Sequence, residues 1–404
     1  MNLLTRVYTS INNKIIFDPK LSHPLIEEQK KYIESFPDPR DEYEQSFFKY
    51  KCVAFYYYHG IRKIILNFIS AVVIGPLYLF YRIKGKYNNQ FFERYIPQDK
   101  LLRKALPTIP IDDIFPEELE RLYADIKSYS GMDYSKIFLP DIASEIFKNV
   151  FKQHPYSFHY LLVVLIRLSQ QSFLLAKYKP KCITTYVCER EFADPLLTML
   201  SEKYGVRYEA FMHGDYYFSS FHAFMHYSRY WIWSDYYKDM FTLLKCKQDM
   251  RVYVPKKYSG IAQAQKSEQE YSYFATYYLT GESEESIIAI KEVLEILNRK
   301  GKKCKIRPHP RFSDISFINR TFEGYYIEDA GKITLKSSLD TSYLAISTCS
   351  TVLSQAYYSG KKIIVDDCSN KILFEELKKA EYIYIDAADM LLSELLKSLN
   401  ENGE

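Results

Sequence analysis

The chain has 404 residues, with 54 Lys and Arg against 50 Asp and Glu, a net charge of +4 that is too balanced for a dedicated nucleic-acid binder. A hydrophobic fraction of 47% with 26% charged residues excludes wholesale disorder and collagen-like character. At ~100–200 residues per domain, the length predicts two domains with room for an appendage. Seven cysteines, at 52, 182, 188, 246, 304, 349 and 368, are scattered without a C-x-x-C pair. They argue against a disulfide framework and a zinc ribbon, and for a reducing compartment.

In chain order, the N-terminus MNLLTRVYTSINNK has no apolar core of the kind a cleavable signal peptide needs. Residues 1–60 are polar and punctuated by proline, which predicts short helices and loops. Residues 64–81, IILNFISAVVIGPLYLFY, carry no charge and lie between Arg62, Lys63 and Arg82, Lys84, Lys86. As a helix they would reach ~27 Å, just short of a ~30 Å hydrocarbon core, and Gly75-Pro76 would kink or end it. Three readings stand: a buried helical hairpin, a membrane-surface element and a true span. The basic flanks with Tyr78 and Tyr81 suit an interface with anionic lipid. Residues 88–150 are again broken by prolines. The apolar run 160–177 reads as a core helix, because Arg167 and Gln170-Gln171 interrupt any span.

An α/β alternation follows. Residues 182–189 read as a strand, and 194–205 as a helix with Asp194 at its N-cap, Pro195 next and Gly205 at its end. Strands are expected at 206–214, ending on His213-Gly214, and at 229–235. The polar stretch 254–269 marks the boundary between an N-terminal domain, 1–255, whose first ~175 residues are helical and membrane-associating, and a C-terminal domain, 256–404. There, strand 271–279 turns at Thr280-Gly281 into helix 284–300, with Ser283 as N-cap and Gly301 as its stop. Strand 303–306, strand 325–329, a short helix near 336–342, strand 343–348, helix 351–360, strand 362–367, helix 372–380, strand 382–386 and a last helix complete the chain. Strands separated by helices with short connections predict a parallel, doubly wound sheet.

Absent motifs narrow the chemistry. No G-x-G-x-x-G follows a strand, and there is no G-x-x-x-x-G-K-[ST], no D-x-D and no G-x-S-x-G; a dinucleotide site, a P-loop and an α/β-hydrolase are all disfavoured. Two loops at strand ends stand out, because ligands of open α/β sheets bind outside the carboxyl ends of strands. The first is Arg307-Pro308-His309-Pro310-Arg311, whose cations are held stiffly between prolines and suit phosphate. The second is Ser347-Thr348-Cys349-Ser350-Thr351, whose hydroxyls open a helix and add to its free N–H groups. A plain surface turn and a plain N-cap are the bland readings of each. Thr280-Gly281, at the end of another strand, joins the donor-side candidates. His222 and His226 have i,i+4 metal-ligand spacing but lack the glutamate of H-E-x-x-H, so no metal is expected. Tyr216, Tyr217, Phe218 and Phe221 read either as core or as a sugar-stacking surface.

His309-Pro310 and Ser350-Thr351 together resemble the donor site of GT-B-fold glycosyltransferases that use CMP- or CDP-activated donors: bacterial sialyltransferases and polysialyltransferases, capsule Kdo transferases, and polyol-phosphate transferases of teichoic acid synthesis. The resemblance covers about residues 270–386. Where many such proteins place an acidic residue that can hold a ribose, this sequence has Gln355. His213-Gly214-Asp215 resembles the His-Gly loop of the polyol-phosphate transferases, and Glu191 lies where sialyltransferase-like enzymes often place a carboxylate; either His213 or Glu191 could act as base.

The resemblance implies a GT-B-like α/β fold of two Rossmann-type domains facing a cleft, with a helical N-terminal addition. It implies metal-independent, inverting transfer of an acidic sugar such as sialic acid from a CMP-activated donor to a surface glycan, capsule or lipid-linked acceptor, at the cytoplasmic face of the cell membrane. His309 and Arg307, with the start of helix 351–360, would stabilise the departing phosphate. The nucleotide sugar is a co-substrate, and no cofactor is expected. The rivals are a CDP-polyol phosphotransferase, a UDP-sugar capsular glycosyltransferase and a non-catalytic capsule-assembly protein.

Overall fold

The computed structural model describes residues 24–57, 61–88, 95–104, 119, 127–129, 137–185, 192–212, 214–254 and 267–401. By internal contacts the chain divides into two units. One holds residues 1–213 and 218–253; the other holds 214–217 and 254–404.

In the N-terminal unit, α1 (Ile26–Glu34), α2 (Glu42–Tyr57) and α3 (Ile61–Asn88) precede strands β1 (Gln98–Lys104) and β2 (Lys127–Tyr129). Helices α4 (Asp141–Gln153) and α5 (Phe158–Tyr178) follow, then β3 (Pro180–Thr185), α6 (Asp194–Glu202), β4 (Arg207–Phe211), β5 (Arg229–Ile232), α7 (Tyr236–Leu243) and β6 (Met250–Val252). Six parallel strands form one sheet in the order β2-β1-β3-β4-β5-β6. Helix α5 is the expected core helix, with Leu161, Leu162, Leu165, Leu168 and Leu174 fully buried, and α3 packs along it.

Several local expectations are corrected. Helix α3 runs unbroken through Gly75-Pro76 for 28 residues. An interior proline costs ~3 kcal/mol or more, but Leu66, Ser70, Ile74, Leu77 and Tyr81 bury one continuous face on both sides of it, and that packing holds the helix together. A helical hairpin is therefore not formed, and the opposite face is exposed. Ala193, not Asp194, is the N-cap of α6; the buried Asp194 instead accepts the His226 main-chain N–H at 3.0 Å. His222 closes a single 3-10 turn, Ser220–His222, and Ala223 is extended, so His222 and His226 do not share a helix face. Of the four aromatics read either as core or as a sugar-stacking surface, Tyr216, Phe218 and Phe221 are buried and Tyr217 is half-buried.

The C-terminal unit comprises β7 (Tyr273–Tyr278), α8 (Glu284–Arg299), β8 (Cys304–Arg307), α9 (Ile315–Thr321), β9 (Tyr326–Ile327), α10 (Leu335–Asp340) and β10 (Ser342–Ser347). It continues with α11 (Thr351–Tyr358), β11 (Lys362–Val365), α12 (Lys371–Lys379), α13 (Ile383–Ala387), β12 (Met390–Leu391) and α14 (Leu392–Glu401). All six strands are parallel, in the order β12-β11-β10-β7-β8-β9. Alternate residues feed two cores, one on each side of the sheet. Tyr277, Leu344, Ile346 and Ile364 meet α8, α9 and α14, while Tyr278, Ala345, Ile363 and Val365 meet α10 to α13. The expected doubly wound sheet is present. Strand 382–386 is not: those residues form α13, and Met390–Leu391 takes the edge beside β11.

Candidate functional site

The C-terminal sheet grows outward from β7 in both directions, first through β8 and β9, then back across to β10. The switch point lies between β7 and β10, where open α/β sheets present a crevice at their carboxyl ends. Three loops leave the sheet here: residues 279–283 after β7, 308–314 after β8, and 348–350 after β10.

After β7, Gly281 adopts φ +122, a conformation that side chains other than glycine's rarely tolerate. A Cβ built there would stand 3.0 Å from the Phe312 Cβ, so the first two loops approach each other closely. The Glu282 carboxylate turns back to accept the Thr280 N–H at 2.9 Å, the Thr280 hydroxyl at 2.8 Å and the Gly281 N–H at 3.0 Å. Ser283 then caps α8, accepting the Ser286 N–H at 3.3 Å.

After β8, the cations separate in role. The Arg307 guanidinium donates to Glu328 Oε2 at 2.9 Å and to the Ile333 carbonyl at 2.8 Å. The same glutamate, buried in β9's continuation, binds the Lys305 ammonium, which also reaches Thr341 Oγ1 at 2.7 Å. Burial works against the Glu328 charge, but hydrogen bonds from Lys305, Ser338 and Arg307 outweigh it and hold its pKa below the usual value. Arg307, expected to clamp a phosphate, is thus engaged in tying β8 to the segment after β9. His309 and the exposed Arg311 remain at the loop. The His309 N–H donates to Ser313 Oγ at 2.9 Å, its Nδ1 accepts the Arg311 N–H at 3.1 Å, and its ring stacks on Phe312 at 4.5 Å. With Nδ1 an acceptor, Nε2 carries the proton. Burial, then the Arg311 charge, lowers its pKa against a partial rise from Glu282; His309 is a neutral donor at pH 7. Pro310 is exposed at the tip of the turn.

After β10, Ser347 is buried and donates to the Tyr278 carbonyl at 2.8 Å, a bond inside the sheet and not one aimed at a ligand. Ser350 is the N-cap of α11, accepting the Val352 N–H at 3.2 Å. Thr351 opens the helix, and Gln355 sits half-buried one turn on. The Tyr277 hydroxyl donates to Asp366 Oδ2 at 2.5 Å and lies 3.4 Å from Thr348 Oγ1. Residues 214–217 belong to this unit: a Cβ on Gly214 would stand 3.3 Å from Thr351 Oγ1. Burial and then Asp215 push the Cys349 thiol up to about 12. His213 and Glu191 lie outside the described residues.

Sequence reasoning missed Glu282. Its charge acts on His309, Cys349 and Tyr277, so it sits among residues drawn from both motifs. The signal was an acid directly after Thr-Gly at a strand end, the first of three in Glu282-Ser283-Glu284-Glu285. Among the described residues, Asp366, Asp367 and Cys368 bring three possible metal ligands within 4.8 Å. Their carboxylates are already acceptors, Asp366 from the Cys368 and Ser369 N–H groups and Asp367 from Ser393.

No protein-family model and no curated protein matches the chain. Among solved structures, it is similar to a UDP-GlcNAc 2-epimerase from Methanocaldococcus jannaschii, at 12% identity and TM-score 0.42, over 74% of this chain and 91% of that one. It is also similar to a calicheamicin glycosyltransferase, at 9% identity and TM-score 0.40, over 75% and 89%. A UDP-forming trehalose-phosphate synthase from Burkholderia xenovorans gives 9% identity and TM-score 0.35, over 75% and 97%.

Proposed function

We propose that this chain is a GT-B-type glycosyltransferase whose C-terminal unit binds the phosphate of a nucleotide-sugar donor at the β7/β10 switch point. One observation carries the reading: the Thr280 and Gly281 donors already hold an anion, the chain's own Glu282 carboxylate. Donor phosphate displaces that carboxylate and gains the N–H groups of residues 280–281, the first turn of α11 behind Ser350-Thr351, the Nε2–H of His309 and the Arg311 guanidinium.

The donor in this proposal is a CMP-activated acidic sugar. One loop cation and one helix N-terminus suit a single phosphate, and Arg311 is free to fork onto a sugar carboxylate. The acceptor, a surface glycan or lipid-linked glycan of capsule type, attacks the anomeric carbon through its hydroxyl oxygen. The bond from that carbon to the CMP phosphate oxygen breaks as the new glycosidic bond forms. A base, His213 or Glu191, takes the hydroxyl proton. Neutral His309 and the helix start stabilise the departing phosphate without requiring a metal.

Competition tests the donor class. CMP and CDP are expected to raise the melting temperature well above what UDP or GDP achieve at equal concentration, because a ligand of the native state stabilises it by mass action. A tenfold preference for UDP would reassign the donor to a UDP-sugar and leave the phosphate site standing.

A further inference from the structure

Helix α3 has two faces of different fate. Its buried face is fastened to the N-terminal unit along its whole length. Near its start, Asn67 Oδ1 accepts the His159 N–H at 3.1 Å and Asn67 Nδ2 donates to the Tyr156 carbonyl at 3.2 Å. In the middle, the Tyr78 hydroxyl lies 3.0 Å from Ser144 Oγ. Near its end, Arg82 pairs with Asp141 at 2.7 Å. At Gly85 a Cβ would stand 2.0 Å from the Leu139 carbonyl oxygen, so the helix and the segment before α4 touch backbone to backbone.

The other face is apolar and open. Ile64, Phe68, Val72, Leu79, Phe80 and Ile83 are 40–70% exposed, and at ~100° per residue they share one side of the helix. Gly75 and Pro76 are the exposed residues between them. This stripe runs ~28 Å at ~1.5 Å per residue, far beyond the scattered apolar residues normal on a soluble surface. Charge marks its ends. Across its 28 residues α3 carries Arg62, Lys63, Arg82, Lys84 and Lys86 and no acid; Lys63 and Lys86 are exposed. On the neighbouring α4, Lys148 and Lys152 are exposed beside Glu145 and the paired Asp141. A groove of 270 Å³ opens beside Gly75, lined by Ile74, Tyr78, Phe147, Phe151 and the Lys148 stem.

We infer that α3 lies flat in the headgroup region of an anionic bilayer, with its apolar stripe sunk among acyl chains and its terminal lysines on lipid phosphates. The apolar stripe supplies the depth and the cation-only helix selects the charge of the surface. A span is excluded by the bonds on the buried face, since crossing would strip Asn67, Tyr78 and Arg82 from their partners. The groove beside Gly75 gives one acyl chain a place along the helix.

The test is vesicle flotation of the full chain with phosphatidylcholine alone and with phosphatidylglycerol added. Binding is expected to need the anionic lipid and to fall as salt rises. Phe68→Ser/Val72→Ser/Leu79→Ser is expected to lower the partition coefficient more than tenfold with an unchanged melting temperature, because all three side chains face outward. Lys63→Glu/Lys86→Glu is expected to lower it several-fold on anionic vesicles. A Phe68→Trp variant should shift its emission to the blue on anionic vesicles. Equal binding by the triple variant, or equal binding to neutral vesicles, would overturn the inference. So would a dimer of the wild-type chain that the triple variant dissociates, which would assign the stripe to a second copy.

Discussion

The Glu282 carboxylate accepts both the main-chain N–H and the hydroxyl of Thr280, at 2.9 and 2.8 Å. Under the proposed function, donor phosphate takes the place of this carboxylate. Removing the internal competitor should therefore favour the external ligand. Glu282→Ala is expected to tighten CMP binding about tenfold, or ~1.4 kcal/mol, measured by calorimetric titration. Weaker binding would mean that Glu282 itself grips the donor.

His309 is half-buried and held within its own loop by contacts with Ser313, Arg311 and Phe312. His309→Ala should keep the wild-type melting temperature within ~1 °C while turnover falls by about 10²–10³, the usual cost of losing one preorganised donor to a developing anion. Wild-type kcat at saturating donor would remove His309 from the mechanism.

Glu328 answers two cations, Lys305 and Arg307, from a buried position. Glu328→Gln leaves both short of a countercharge and is expected to cost about 3–5 kcal/mol, read from urea unfolding. The pH dependence follows from the lowered pKa of the native carboxyl. Its contribution is complete above the ordinary value of 4.5 and is lost as pH falls through the lower native value. The stability gap between wild type and Glu328→Gln should accordingly be full at pH 7 and narrow below about pH 4.5. A gap that stays constant down to pH 3 would contradict this role.

Gly281 combines a positive φ with a close approach to Phe312. Gly281→Ala should destabilise by more than ~1 kcal/mol and separate the loops after β7 and β8. CMP affinity is then expected to fall while Phe312→Ala, made in the same background, restores part of it. Unchanged affinity in Gly281→Ala would mean that the two loops need not meet.

The alternation of the C-terminal unit was legible because its helices keep a 3.6-residue apolar period and its strands are short apolar runs between clear caps. The segment 382–386 misled for a physical reason: its alternating Tyr and Ile suit a pleat, but Tyr382 and Tyr384 are buried on the α11–α13 side of the sheet, and a single helical turn delivers both. Residues 64–81 were legible in composition only, since the face that Asn67, Tyr78 and Arg82 fasten depends on partners far along the chain. At the site, the RPHPR loop announced itself, but the partner of Arg307 lies 21 residues away and no local pattern joins them. Ser347 looked like part of a hydroxyl run, yet its bond to the Tyr278 carbonyl follows from strand pairing, which a single strand does not encode. Glu282 drew no reading from the sequence, and only its turn-back onto Thr280 gives it meaning.

Calorimetric titration of the full chain with CMP asks most directly whether the loops at the β7/β10 switch point bind a nucleotide phosphate. A single saturable site is expected in the wild type, with at least a tenfold loss of affinity in a folded His309→Ala/Arg311→Ala variant, since ~1.4 kcal/mol corresponds to tenfold. Absence of binding by CMP, CDP and UDP to the folded chain, or identical affinity in the double variant, would contradict that site.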